Sequence, residues 1–263
     1  MERYKTIESA SNPRVKELLH IRDGQAHDDS LFIEGLKVVR TAIDAERRIN
    51  EIYTTQNILD KHDGLFRSLR AKDTRVTIIS EKVSKRLSDT QTPQGIFAIV
   101  TYGFEKIEDL KPRGILPVID RIQDPGNLGT IIRTADAFGI KKMILLEGSC
   151  SPTNQKVIRS SSASVLNVDI VKTSEKELVT WANKNDIKLL ASDSNATTLI
   201  KDVAPGKRSL LIIGNESSGV SEHLKKKADM LFSIPLPGKA ESLNVAIASA
   251  IILYEFSKKI KNA

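Results

Sequence analysis

Apolar and polar positions alternate along this chain in two stretches with different rhythms. Before residue 104, short apolar runs are separated by amphipathic segments. LFIEG (31–35), EIYTT (51–55), VTIIS (76–80) and GIFAIVTYG (95–103) read as strands. LKVVRTAIDAE, LFRSLRAK and KVSKRLSD read as the helices between them. Residues 1–30 read as an amphipathic helix in which Val15, Leu18, Leu19 and Arg22 follow the start signal Asn12-Pro13. The alternation predicts a small α/β unit.

After EKIEDLKPRG (105–114), a polar stretch with Pro and Gly that reads as a linker, the rhythm is more regular. ILPVID (115–120), KKMILLEG, NVDIVK, IKLLASD, RSLLIIGNE and LFSIPLP are apolar runs of strand length. Between them lie TIIRTADAFG, a Ser-rich helix around NQKVIRSSSASV, SEKELVTWANKND and VSEHLKKKAD, and a long apolar helix closes the chain. Uninterrupted apolar strands between amphipathic helices predict a parallel sheet covered on both faces. The expected domains are 1–104, a linker over 105–114, and 115–263.

Composition narrows the classes. A length of 263 residues suggests two compact domains. The opening segment is charged throughout, and the longest apolar run (245–254) is about half of a membrane span, so no secretory signal and no membrane partner are expected. A single cysteine, Cys150, excludes an internal disulfide and fits the cytoplasm. His20, His27, His62 and His223 lack metal-ligand spacing, so no metal is expected. Net charge is +7 and uneven: 19 Lys+Arg face 18 Asp+Glu up to Pro112, and 21 face 15 from Arg113 onward. The basic excess fits a nucleic-acid partner, and solubility alone accounts for it equally well.

Three segments carry candidate chemistry. DPGNLGTIIRTADAFG (124–139) follows a strand and opens a helix. Its Gly126/Gly129 pair has the look of a dinucleotide loop with Glu147 as the ribose carboxylate, but the third glycine is missing. With Ile131, Ile132, Ala135 and Phe138 facing the sheet, Asn127 and Arg133 can point together into the cleft above the strand ends. The plain alternative makes Asn127 a turn residue and pairs Arg133 with Asp136. GNESSG (214–219) ends an apolar strand with Glu216 among small residues; it is either a ligand loop or a cap for a helix starting at Ser221-Glu222. Ser242 and Asn244 precede the last helix, where Leu243, Ala246, Ile247, Ala250 and Ile251 form an expected core stripe. Lys225-Lys226-Lys227 reads as a solvated helix end, with an RNA phosphate contact as the alternative.

Order and spacing of these segments resemble a known pattern. N-x-G-x-x-x-R-x-A at Asn127, Gly129, Arg133 and Ala135 is similar to motif one of the SpoU (TrmH-type) RNA 2′-O-ribose methyltransferases of the SPOUT superfamily. Gly214-Asn215-Glu216 through Gly219 resembles motif two, and Ile234-Pro235-Leu236 with Ser242-Leu243-Asn244-Val245 resembles motif three. VIRSSSASV (157–165) is similar to the family's R-x-S-x-G-A segment, with Ala163 and Ser164 in place of the usual Gly-Ala. FIEGLKVVRTAI and SDTQTPQGIFAIV resemble the ribosomal-protein-L30e-like substrate-binding module that precedes some of these enzymes.

The resemblance implies an α/β fold: a C-terminal SPOUT-type parallel sheet with a deep trefoil knot, preceded by a small L30e-like domain. It implies S-adenosylmethionine as cofactor, held by Gly214, Asn215, Glu216, Gly219, Ile234, Leu236, Leu243 and Asn244, with the turn at Ser192-Asp193-Ser194 on the adenosine side. Arg133 is implied as the group that activates the ribose hydroxyl, supported by Asn127, Glu216, Ser242 and Asn244. The implied partners are RNA, ribosomal RNA favoured over tRNA, and a second copy of the chain in a homodimer that builds the site from both subunits. The alternatives are a tRNA 2′-O-methyltransferase, an inactive RNA-binding ribosome assembly factor, and an enzyme that methylates a base nitrogen. A base C5-methyltransferase using Cys150 lacks the second cysteine motif.

Overall fold

Eleven strands and ten α-helices are distributed over two units in the computed structural model, which describes residues 4–24, 30–111, 114–206 and 208–261. Residues 1–3 and 25–29 of the segment read as one helix, His27 among them, and residues 112–113 of the expected linker lie outside the described residues. One unit comprises Met1–Gly103 with Thr153–Ile158, the other Phe104–Pro152 with Arg159–Ala263.

The first unit runs β1 (Lys5–Ile7), α1 (Pro13–Arg22), β2 (Ser30–Glu34), α2 (Leu36–Asp44), β3 (Ile49–Thr54), α3 (Gln56–Lys61), α4 (Asp63–Arg70), β4 (Arg75–Ile79), α5 (Glu81–Leu87) and β5 (Ile96–Thr101). Its five strands lie in the order β1-β4-β3-β5-β2. The first three are mutually parallel, and β5 runs antiparallel to β3 and β2. Residues 5–7 are thus an edge strand, where a helix was expected. The helix begins only after Asn12, whose side chain accepts from the Arg14 N–H at 2.8 Å, with Pro13 in the first turn. Val15 and Leu18 of α1 pack on Tyr53, Ile79, Phe97 and Ile99.

The second unit runs β6 (Gly114–Ile119), α6 (Pro125–Ala137), β7 (Lys142–Leu146), α7 (Gln155–Ser160, divided between the units), β8 (Asp169–Thr173), α8 (Glu175–Lys184), β9 (Lys188–Ser192), β10 (Arg208–Ile213), α9 (Glu222–Lys227), β11 (Met230–Phe232) and α10 (Val245–Lys261). The sheet order is β11-β9-β10-β6-β7-β8, with every pairing parallel. After β6 the chain builds outward through β7 and β8, then crosses to β9 and returns to lay β10 beside β6. Ligands of open parallel sheets bind at such a reversal, outside the carboxyl ends of the strands. Part of the stretch read as a linker is packed: Ile107 and Leu110 are buried in this unit's core, and Glu105 pairs with Lys142 at 2.5 Å.

Three local readings change. Asp124 caps α6 by accepting from the Asn127 N–H at 2.9 Å, and Pro125 fills the first helical position. The segment expected as a glycine loop is therefore helix from Pro125, Gly126 and Gly129 lie inside it, and no dinucleotide-type turn exists there. Phe138 does not face the sheet; it is 37% exposed and its ring lies 6.0 Å from that of Tyr254. Ile247, expected in the core stripe of the last helix, is 53% exposed, while Val245, Ala246, Ser249, Ile252, Leu253 and Phe256 are buried. In the SSSASV segment Ala163 adopts φ +71°, a left-handed conformation that a side chain disfavours, at the position where the resemblance expects glycine.

Candidate active site

At the C-terminal end of β10 the chain makes a tight loop. Asn215 and Gly219 exchange two backbone hydrogen bonds of 3.0 Å, and the Asn215 carboxamide oxygen accepts from the N–H groups of Ser217 and Ser218 at 3.0 and 3.1 Å. Gly214 opens this loop because nothing larger fits: a Cβ there would lie 2.0 Å from the Val220 nitrogen and 2.1 Å from the Gly219 carbonyl carbon. The closed loop projects Glu216 outward. Its Oε1 accepts from the backbone N–H of Asp124 at 3.3 Å and from Asn127 Nδ2 at 3.1 Å, and its Oε2 accepts from Asn215 Nδ2 at 3.1 Å.

That carboxylate decides how Asn127 is oriented. A carboxylate only accepts, so the amide nitrogen of Asn127 must face Glu216 and its oxygen the other way. The oxygen accepts from Asn244 Nδ2 at 3.1 Å, and the Asn244 oxygen caps α10 by accepting from the N–H groups of Ala246 and Ile247 at 2.9 and 3.3 Å. Residues from the start of α6, the β10 loop and the start of α10 thus form one hydrogen-bonded relay, Glu216–Asn127–Asn244.

Beside the relay lies a cavity of about 390 Å³. Its apolar side is Ile213, Val220, Phe232, Val245 and Ile252; Ser192, Asp193, Ser194, Ser242 and Lys225 supply polar groups. Gly214, Asn215, Glu216, Gly219, Ile234, Leu236 and Leu243 also line it. Lys225, read as a solvated helix end, instead sits at this wall with 22% of its side chain exposed, 3.4 Å from Asp193 and 2.5 Å from Glu222. The hydrogen bond to Glu222, reinforced by the charge of Asp193, raises its pKa.

These groups suit S-adenosylmethionine. The volume lies in the range of small-molecule sites, roughly 300–1,000 Å³. An apolar wall serves an adenine face, and the paired Asp193 and Lys225 put an acidic and a basic side chain within reach of the ammonium and carboxylate of an amino-acid tail. The crowding at Gly214 leaves backbone rather than side chain on that wall.

Arg133 is not brought into this cavity. It is exposed on α6, on the side that also bears Thr130 and Ala137, and has no hydrogen-bond or ion-pair partner among the described residues. The expected alternative pairing fails too, because Asp136 accepts from Asn167 at 2.8 Å and lies 3.8 Å from Lys141. Among the described residues no three His, Cys, Asp or Glu side chains are grouped to hold a metal, and no helix is long and apolar enough to cross a membrane.

Two residues escaped the sequence reading. Asp120, fully buried at the end of β6, accepts from the Ser221 N–H at 2.8 Å and from Arg121 Nε at 2.7 Å. Arg121 reaches the Gly219 carbonyl at 3.3 Å, and its own carbonyl accepts from Asn215 at 2.8 Å. The pair clamps the β10 loop from behind, and its signal was a carboxylate closing an otherwise apolar strand, ILPVID. Asp120→Ala removes charge-assisted bonds worth about 1.5–3 kcal/mol each. Urea denaturation should show a loss of at least that order, and calorimetric titration a weakened affinity for S-adenosylmethionine. Unchanged values in both would dismiss the clamp.

Residues 115–254 match the model of the SpoU rRNA Methylase family, and residues 32–102 match that of the RNA 2′-O ribose methyltransferase substrate-binding domain. The chain is 33% identical over 252 residues to the 23S rRNA (guanosine(2553)-2′-O)-methyltransferase RlmP of Bacillus subtilis, covering 95% of this chain and 98% of the relative. It is 28% identical over 244 residues to the 23S rRNA (guanosine-2′-O-)-methyltransferase RlmB of Coxiella burnetii, covering 86% and 95%. Among solved structures, the AdoMet-bound rRNA methyltransferase from Sinorhizobium meliloti superposes with a TM-score of 0.89 at 28% identity, over 97% of this chain and 98% of that one. With two domain models in register and a full-length relative above 30% identity, this chain belongs to the SpoU rRNA methylase family.

Proposed function

We propose that this protein transfers a methyl group from S-adenosylmethionine to a ribose 2′-hydroxyl of ribosomal RNA, with 23S rRNA as the substrate its relatives point to. The observation that carries the reading is the Glu216–Asn127–Asn244 relay at the edge of a 390 Å³ cavity, which joins all three motif segments. When bound, the cofactor supplies a methyl group on a positively charged sulfur, so the residues have little bond-breaking to assist. Their work is alignment of the attacking oxygen and stabilisation of the charge that develops on it.

In this reading residues 115–263 are the catalytic domain and residues 1–104 the RNA-binding one. Gly214, Asn215, Glu216, Gly219, Ile234, Leu236, Leu243 and Asn244 hold the cofactor, and Ser242 shapes the wall of the cavity. Asn127, fixed by Glu216, orients the ribose. The path through the loops at 214–220 and 234–244 forms a trefoil knot, a reading supported by the return of the chain from β11, at the far edge of the sheet, to pack α10 on α6 and bond Asn244 to Asn127.

Arg133 acts at the cavity of a second copy in a homodimer. Support comes from its exposed position on α6 and from exposed apolar residues at the C-terminal cap of α6 and on α10, namely Phe138, Ile247 and Tyr254. The protein works in the cytoplasm, in keeping with its single cysteine.

Incubation with methyl-labelled S-adenosylmethionine and either ribosomal RNA or tRNA tests the substrate class. Label is expected in 23S rRNA. Label in tRNA alone would move the reading to the tRNA enzyme, and RNA binding without label to the inactive assembly factor.

A further inference from the structure

The first unit carries two adjoining hollows, of about 800 and 520 Å³, that share Arg14, Glu51 and Arg75. Strands β1, β4 and β3 are parallel and start at the same edge of the sheet. That topology gathers Lys5 at the start of β1, Lys72 in the turn before β4 and Arg48 immediately before β3. With Arg14, Arg70 and Arg75 they line the hollows against two carboxylates, Glu51 and Asp73. The chain up to Pro112 is almost balanced, at 19 basic and 18 acidic residues, so this is a local concentration of charge.

The floor of the groove is fixed. Arg14 Nε donates to the Tyr53 hydroxyl at 2.7 Å, and its other nitrogens donate to Glu17 and Glu51. Glu51 also accepts from Tyr53 and Arg75, so its charge is neutralised inside the floor. Arg70 lies over the Tyr4 ring at 5.0 Å. The rim is different. Lys5, Arg48 and Lys72 are exposed and have no ion-pair partner among the described residues, and Arg75 is 75% exposed despite its bond to Glu51. Scattered surface lysines need no ligand. Here three unpaired cations and an exposed arginine share one concavity in which Glu51 is already satisfied and Asp73 is the one remaining carboxylate, an excess of positive charge that suits a flexible chain of regularly spaced anions.

Resting on the function proposed above, we infer that this groove holds the phosphodiester backbone of the RNA substrate, with Lys5, Arg48, Lys72 and Arg75 as the phosphate contacts. Such contacts position an RNA without reading its sequence. They screen with salt, and each contact on single-stranded RNA contributes about 0.7 to the slope of log affinity against log salt.

The test uses the full-length chain and in-vitro-transcribed 23S rRNA. Two variants of equal net charge are compared with the wild type: Lys5→Glu/Arg48→Glu/Lys72→Glu in the groove, and Lys82→Glu/Lys85→Glu/Arg86→Glu on α5. The groove variant should bind the RNA at least tenfold more weakly, with a salt slope shallower by about 2, while affinity for S-adenosylmethionine and thermal midpoint stay at wild-type values. The α5 variant should retain most of the binding. Equal weakening by both variants, or none by the groove variant, overturns the groove. A wild-type protein that methylates rRNA alongside either result limits the failure to the groove; one that neither binds nor methylates RNA removes the functional reading with it.

Discussion

Arg133→Ala is expected to reduce methyl transfer by about 10²–10³-fold, the usual cost of losing one group that stabilises a developing oxyanion, with affinity for S-adenosylmethionine unchanged. The side chain lies outside the cofactor cavity and is exposed on α6, so truncation disturbs no packing in the described structure. A guanidinium does not serve as a base at neutral pH. Its role is to position the phosphate beside the reacting ribose and to stabilise charge on the attacking oxygen. Because Arg133 and the cavity come from different copies in this account, mixing inactive Arg133→Ala with inactive Glu216→Ala should restore activity that neither has alone. Full activity of Arg133→Ala, or no recovery in the mixture, would count against the shared site.

Gly214→Ala should abolish measurable cofactor binding and lower stability. The added Cβ meets backbone atoms at 2.0 and 2.1 Å, which cannot rotate away as a side-chain tip would. Overpacking of this kind costs about 1–3 kcal/mol, and the loop that carries Glu216 must shift to relieve it. Gly238→Ala is the matched control, since nothing lies within 4 Å of its Cβ position. Titration calorimetry and thermal melting of the two variants separate the cases. Wild-type affinity in Gly214→Ala would show that the loop tolerates displacement and does not form the wall of the site.

The parallel sheet was legible because β6 to β10 are apolar runs separated by amphipathic helices, and the three motif segments stood out by composition and order. The relay was legible only in part. Asn127, Glu216 and Asn244 lie 89 and 117 residues apart in their hydrogen-bonded pairs, and no periodicity connects such distances. The start of α6 was misplaced although Asp124-Pro125 signals it, because the glycines at 126 and 129 suggested a loop. Phe138 and Ile247 were assigned inward because helical periodicity registers an apolar stripe without saying what covers it. Asp120 was missed for the opposite reason: a single acid at a strand end has the same appearance whether it faces water or clamps a loop. Lys225 was misread because three consecutive lysines suggest solvent, whereas Asp193 and Glu222 hold the first of them at the cavity wall.

The most direct measurement is nucleoside analysis by mass spectrometry of 23S rRNA after reaction with methyl-labelled S-adenosylmethionine. Label is expected in a single 2′-O-methyl nucleoside, formed by the wild type and absent with Arg133→Ala. Label on a base, or a 2′-O-methyl nucleoside formed equally well by both proteins, would contradict this expectation.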